Sequence, residues 1–415
     1  MLNGFRKFIL ILGSTLFCGT IGLGQKTLDD YIHAGFSNNP VLKDLDNQVK
    51  DNSTDSLISH AGFQPQISLN GYMMYAPVVD GYGYSNVITN GQNLTGTLNV
   101  SQDIFNKKTR DAEYEKFGIR NKSLQNDRQI SRNELQKEIT AQYLNACSAY
   151  LETLFNKEML ETLQEEEKIL QQLVEAGSFR QTDYLSFRLA MGTVDRQLKD
   201  LRIRYRNELF SLNILCGLPD TTEYGLELPV LEEVRHPENG KSPLFQRFAL
   251  DSLKIENEKT ILDRKYKPTL SWFSDAGLVN NLPKYIYQNF GLSIGMSLNL
   301  PVYDGNQRKL NFSKLKTSEE TRKNYESYFR LQYDLQIRQL NADLEKTRQI
   351  ITDTEDQIKL ASTLTEQNKI LLNAGSISVT DYILSLKNLL EAKQVLTHYQ
   401  VHALQIVNEL NYWKQ

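Results

Sequence analysis

The sequence predicts an α+β membrane protein. Four strands per chain contribute to an oligomeric transmembrane β-barrel, and long coiled-coil hairpins continue its wall as an α-helical barrel. Three observations predict this. The chain repeats itself about 198 residues on, so two halves share one order of strands and helices. Four segments of about ten residues alternate apolar and polar side chains with period two. Two stretches of about 70 residues carry helical periodicity without a proline.

The repeat is clearest at two turns. Ala176-Gly177-Ser178, followed by Thr182-Asp183-Tyr184-Leu185, returns as Ala374-Gly375-Ser376, followed by Thr380-Asp381-Tyr382-Ile383. Phe63-Gln64-Pro65-Gln66-Ile67-Ser68 is echoed by Tyr266-Lys267-Pro268-Thr269-Leu270-Ser271. Phe105 to Arg110 is echoed by Tyr303 to Arg308.

Residues 1–24 form an export signal. Arg6 and Lys7 supply the positive start, Phe8 to Cys18 a short apolar core, and Gly22 and Gly24 a small-residue cleavage site. Leu16 and Phe17 are too large for the context that precedes a lipidated cysteine, so no anchor is expected at Cys18. Removing Arg6 and Lys7 leaves 45 of the 47 basic residues against 50 acidic ones, a formal charge of −5. That balance offers no basic patch for nucleic acid.

The first repeat, 25–216, holds a helix over 27–60, strands 66–75 and 94–104, a long helix 106–175 and a helix 182–216. A Pro-, Gly- and Glu-rich linker, 217–241, crosses the middle of the body. The second repeat, 242–415, holds a helix 243–265, strands 268–278 and 287–303, a long helix 305–373 and a helix 380–413. Each long helix spans roughly 105 Å at 1.5 Å per residue. A half-length helix cannot cover a full-length one, so two short helices stack end to end along each long one. The last helix carries a coiled-coil seam of Leu389, Ala392, Leu396, Tyr399, Ala403, Ile406, Leu410 and Trp413. Leu144, Cys147, Leu151 and Leu154 continue that pattern on the first long helix.

On the strands, Leu69, Leu98, Leu270, Trp272, Leu292, Ile294 and Met296 fall on one face and are assigned to lipid. Between them stand Ser, Thr, Asn and Gly, too polar for a protein core and suited to water. Phe63, Phe105, Tyr266 and Tyr303 flank the strands at one level, as an interfacial girdle requires. The segments 76–93 and 279–287 are external loops. Four strands cannot close on themselves, and an open edge in hydrocarbon leaves backbone groups unsatisfied at several kcal/mol each. The chain must therefore share its barrel with copies of itself.

These features together resemble the TolC-type outer-membrane efflux proteins over essentially the whole mature chain. The most specific elements are the two Gly-x5-Asp turns, Gly177 to Asp183 and Gly375 to Asp381, and the strand exit Leu300-Pro301-Val302-Tyr303-Asp304-Gly305. The resemblance implies a homotrimer in the outer membrane of a Gram-negative bacterium, with a twelve-stranded barrel in outer-membrane lipid and the helical part in the periplasm. It implies passive export, through a periplasmic adaptor (membrane fusion) protein, from an inner-membrane transporter of RND, ABC or MFS type, for efflux or type I secretion. The first strand exit, Gln102 to Lys107, lacks the Pro and Gly of the second. Where the family places a polar latch beside the second Gly turn, this chain has Leu372 and Ile377, which points to apolar closure.

The tips carry the candidate functional residues. Gly177 and Gly375 end one helix in the left-handed region, and Thr182 and Thr380 cap the next. Asp183 and Asp381 sit in its first turn, complementing the helix dipole, and symmetry would multiply them into carboxylate rings at the pore constriction. Ser178, Phe179, Ser376 and Ile377 at the apices are the expected adaptor contacts. No catalytic or cofactor-binding constellation is expected. The spacing His398-x3-His402 suits zinc but lacks a nearby third ligand, so no metal is expected. The run Glu165-Glu166-Glu167 is assigned to solvated helix surface, and Cys147 and Cys216 to buried free thiols. The alternative is a membrane-anchored trimeric coiled-coil structural protein or adhesin without a conducting pore, for which no distal binding head is visible.

Overall fold

The computed structural model describes residues 26–85, 91–105, 107–234, 242–280 and 288–415. The expected export signal with Cys18, Asn106, and parts of the expected loops and linker (86–90, 281–287 and 235–241) lie outside the described residues.

Local chemistry sets the first boundaries. Helix α1 (Leu28–Asn38) begins with a capping box: the Asp30 amide donates to Thr27 Oγ1, and the Thr27 amide donates to Asp30 Oδ2 at 2.9 Å. The helix expected over 27–60 breaks at Asn39, because a residue before proline is pushed from helical into extended backbone. Asn39 then caps α2 (Pro40–Gly62), accepting from the amides of Val41 and Leu42. Strands β1 (Gln66–Tyr75) and β2 (Gln92–Ile104) lead into helix α3 (Lys107–Glu175), and α4 (Gln181–Leu215) returns along it. The second half repeats the order with α5 (Pro243–Lys265), β3 (Thr269–Asn280), β4 (Phe290–Asn299), α6 (Gln307–Asn373) and α7 (Val379–Lys414). Strand β4 is shorter than the expected 287–303. Pro301 has no amide for a ladder, and Gly305 and Asn306 turn the chain into α6 with positive φ.

The strands form one antiparallel sheet in the order β1-β2-β3-β4, so β1 and β4 are its open edges. Among the helices, α3 lies between α2 and α5 near the sheet and against α4 and α7 further away, while α6 packs on α5 and α7. Asparagines join these neighbours by donating side-chain amides to main-chain carbonyls: Asn52 to Phe117, Asn257 to Ala112, and Asn408 to Lys137.

Apolar packing is divided into three clusters rather than one core. One lies around Tyr31, Ile139, Cys147, Leu209 and Leu212, one around Leu163, Phe187, Leu372 and Tyr382, and one around Leu344, Ile406 and Leu410. Cys147 and Cys216 are buried and free in the first, and burial pushes their thiols up to about 12 and about 11. Thiols held so far above neutral pH are unreactive. The expected seam of α7 is only partly right: Ile406 and Leu410 are buried, but Leu389, Leu396 and Tyr399 are half-buried. A second stripe, Tyr382, Leu386, Leu390 and Val401, is buried instead, because α7 packs against both α3 and α6.

The segment 217–234 is strapped across the body by equivalent residues of the two repeats. Asn213 donates to Asp220 O at 2.8 Å, and its repeat counterpart Asn411 donates to Glu232 O at 2.9 Å. Lys26 pairs with Asp220 at 2.6 Å and Lys414 with Glu233 at 2.5 Å. The Lys26 ammonium holds the Asp220 carboxyl down at about 2.

Sheet packing yields a test. A Cβ on Gly277 would lie 2.1 Å from the Gly96 carbonyl oxygen, whereas one on Gly71 meets nothing within 4 Å. Gly277→Ala is expected to lower stability by about 1–3 kcal/mol in thermal unfolding in detergent. Gly71→Ala should leave the curve unchanged.

Candidate functional site

Antiparallel register sorts the sheet into two faces. Leu69 pairs with Leu98, Leu98 with Ala276, and Ala276 with Leu292, giving one apolar row across all four strands. The next row is Ile67, Val100, Ser274 and Ile294. Leu69 is 78% exposed and Ile294 80%, so in a single chain this face has no partner. Its polar groups are turned back onto protein. The Ser274 hydroxyl donates to Ser293 O, and the Trp272 indole N–H donates to Gln102 Oε1 at 3.2 Å. Trp272 and Met296 pair directly, as do Leu270 and Leu298. The expected lipid-facing residues thus occupy one continuous surface that is apolar and internally satisfied, the condition hydrocarbon imposes.

The opposite face carries Ser68, Asn99, Asp275 and Ser293 in one row and Asn70, Thr97, Gly277 and Gly291 in the next. The Ser293 hydroxyl donates to the Asp275 carboxylate. Phe273, Val279, Tyr72 and Met74 are apolar or aromatic residues on this face, and Phe273 lies over Gly295, where no side chain competes for the space. At the base of the sheet Phe63 meets Phe105 edge-on at 4.8 Å and Tyr114 at 5.8 Å. Tyr266 lies under the Arg308 guanidinium, and Tyr303 stands free in solvent. Of the four expected girdle residues, only Phe63 and Phe105 touch each other.

The far end of the helices is built twice from the same parts. Gly177 has φ 78° and Gly375 φ 69°. Gly177 N donates to Val174 O and Ser178 N to Leu173 O; Gly375 N donates to Leu372 O and Ser376 N to Leu371 O. This paired pattern satisfies the last carbonyls of α3 and α6 and needs left-handed backbone at the glycine. The next helices start earlier than expected. Their N-caps are Arg180 and Ser378, so Thr182 and Thr380 lie inside the first turn and do not cap. Asp183 Oδ2 accepts from the Arg180 amide at 3.1 Å. Asp381 donates its amide to Ser378 Oγ and accepts the Ser378 hydroxyl at 2.7 Å. Both carboxylates are therefore engaged in capping.

Of the expected adaptor contacts, Ser178 and Ser376 are exposed at the apices. Phe179 and Ile377 turn inward and pack on the cluster of Leu170, Phe187, Leu372, Val379 and Tyr382. Leu372 is buried in this apolar cluster, and an ion pair accompanies it. Glu166 on α3 is 2% exposed and receives Lys369 of α6 at 2.7 Å; its second oxygen is buried without a partner. Fully buried Tyr382 of α7 lies beside it, and burial followed by the Glu166 carboxylate pushes its phenol up. Glu166 thus departs from its expected place on solvated surface. The signal was in the spacing: Leu163, Glu166 and Leu170 follow the 3-4 pattern of a buried stripe. Glu167, by contrast, is half-buried and pairs with Arg188 at 3.2 Å.

No family model matches the sequence, and a search of curated proteins finds no match. Solved structures do match. The CmeC outer membrane channel of Campylobacter jejuni aligns with TM-score 0.74 at 15% identity, covering 93% of this chain and 85% of that one. The outer membrane protein VceC of Vibrio cholerae aligns at 0.75 and 14%, covering 93% and 96%. The open state of the MtrE outer membrane channel of Neisseria gonorrhoeae aligns at 0.74 and 12%, covering 93% and 88%. The chain has the fold of the TolC-type outer-membrane proteins that its sequence resembles. Among the described residues, no helix is long and apolar enough to cross a membrane.

Lys369→Met should strand the Glu166 carboxylate in the apolar cluster. It is expected to cost about 1–3 kcal/mol in chemical unfolding, against nearly nothing for Lys387→Met in an exposed i,i+4 pair. Adding Glu166→Gln should recover most of the loss. The hydrogen bond to Glu166 raises the Lys369 pKa. The pair's contribution should therefore persist through neutral pH and vanish only as pH rises past the ordinary lysine range.

Proposed function

We propose that three copies of this chain form an outer-membrane duct. It passively conducts substrates from a periplasmic adaptor and an inner-membrane pump to the exterior. The observation that carries the proposal is the sheet: one face with an apolar row from edge to edge, the other mostly polar, and two edges without a neighbour among the described residues. In hydrocarbon those edges must be paired, and β4 of one copy against β1 of the next pairs both at once. Three copies close twelve strands, with the Ser, Asn and Asp275 rows lining a water-filled lumen.

The helices support the same assembly. Leu185 and Leu189 on α4, and Leu360 and Leu364 on α6, are large apolar side chains that stand in solvent in the single chain. They mark the seams between copies. At the tips, inward-turned Phe179 and Ile377 and the Glu166–Lys369 pair hold the two hairpins together, which corresponds to a closed entrance. The adaptor would meet the exposed turns at Ser178 and Ser376. Rings of Asp183 and Asp381 around the three-fold axis would give that entrance cation affinity. Partner class follows the resemblance: an RND, ABC or MFS transporter.

In planar bilayers the purified protein should give discrete single-channel conductance, with Asp381→Asn reducing block by divalent cations from the tip side. A membrane-anchored coiled coil without a pore would conduct nothing, and that outcome would overturn the proposal. Leu189→Glu and Leu360→Glu should each shift the detergent-solubilised protein from trimer towards monomer in sedimentation, with helix content retained by circular dichroism.

A further inference from the structure

The exposed face of α7 carries two histidines one helical turn apart, His398 and His402. Their imidazole planes are parallel within 6°, with centroids 6.3 Å apart. Neither ring makes a hydrogen bond or ion pair among the described residues. The one other ring contact is Tyr399, edge-on to His398 at 5.3 Å. Two turns towards the tip, Glu391 on the same face is occupied by Lys387 at 3.6 Å.

We propose that His398 and His402 form a two-imidazole site for a divalent transition-metal ion, Zn2+, Ni2+ or Cu2+. Residues four apart lie one above the other on a helix, so a single ion can bridge both rings with side-chain rotation alone. Imidazole nitrogen suits these three ions, whereas Mg2+ and Ca2+ prefer oxygen ligands, and the Glu391 carboxylate on this face is two turns away and paired with Lys387. No group of three or more His, Cys, Asp or Glu that could hold a metal occurs among the described residues. Water therefore completes the coordination, and the ion exchanges rather than serving as a structural element. The sequence set this pair aside for want of a third ligand. What the structure adds is that the two rings lie one turn apart on the exposed side of α7 in the single chain, without other polar partners among the described residues, so rotation about their side-chain bonds can aim a nitrogen of each at one ion.

The site belongs to a single chain, so its test is independent of whether the protein conducts. Tag-free, chelator-treated full-length protein in detergent would be titrated with each of Zn2+, Ni2+ and Cu2+ by calorimetry, and with Mg2+ as control. One saturable ion per chain is expected, with no Mg2+ signal. Affinity should be about tenfold or more weaker in His398→Ala and in His402→Ala. The melting temperature of wild type should rise with bound metal while that of the variants does not. Because both side chains are exposed, the metal-free variants should melt like wild type, which separates ligand loss from misfolding. Absence of binding to wild type, or equal affinity in the variants, would overturn the proposal.

Discussion

The register of the four-stranded sheet is the constraint on which the rest of the molecule depends. Side chains alternate with period two, so a slip of one residue would move every apolar side chain to the polar face. The register is held by shape as well as by hydrogen bonds. Gly277 admits the Gly96 carbonyl beside it, and Gly295 admits the Phe273 ring. With that register fixed, Leu69, Leu98, Ala276 and Leu292 become one row, and Ser68, Asn99, Asp275 and Ser293 another. The division into an apolar face and a polar face is a consequence of pairing, not of any single residue.

The described residues are not gathered around one central core. Apolar contacts are gathered near the tips, around Phe187 and Tyr382, and beside the strap, where Leu231 packs on both the Ile139 and the Leu410 clusters. Asparagine amides also bind main-chain carbonyls of neighbouring helices. The strap at 217–234 completes this plan. It is gripped by Asn213 and Asn411, the same position in each repeat, and by lysines near the two ends of the described chain.

At the tips, one solution appears twice with different side chains. Both turns close with the same pair of main-chain bonds, and both following helices use their Asp in the cap. The backbone geometry is thus symmetric, while the contacts that hold the hairpins together are not. Glu166 of the first repeat meets Lys369 of the second, inside an apolar cluster where a lone charge would be costly. Such a pair contributes little net stability yet restricts which neighbours are acceptable.

Much of this was legible in the chain because the signals are local and periodic. Alternation marked the strands, the absence of proline marked the long helices, and the duplicated Gly-x5-Asp turns marked the tips. The break at Asn39–Pro40 was also written locally, in the proline itself. Tertiary structure alone decided which face of α7 is buried, because two long helices compete for it. It also turned Phe179 and Ile377 inward, and took Glu166 from an apparently solvated acidic run into contact with Lys369. The physical reason is range. Hydrogen bonds and side-chain alternation along one segment are fixed within a few residues, whereas burial depends on which distant helix arrives to exclude water.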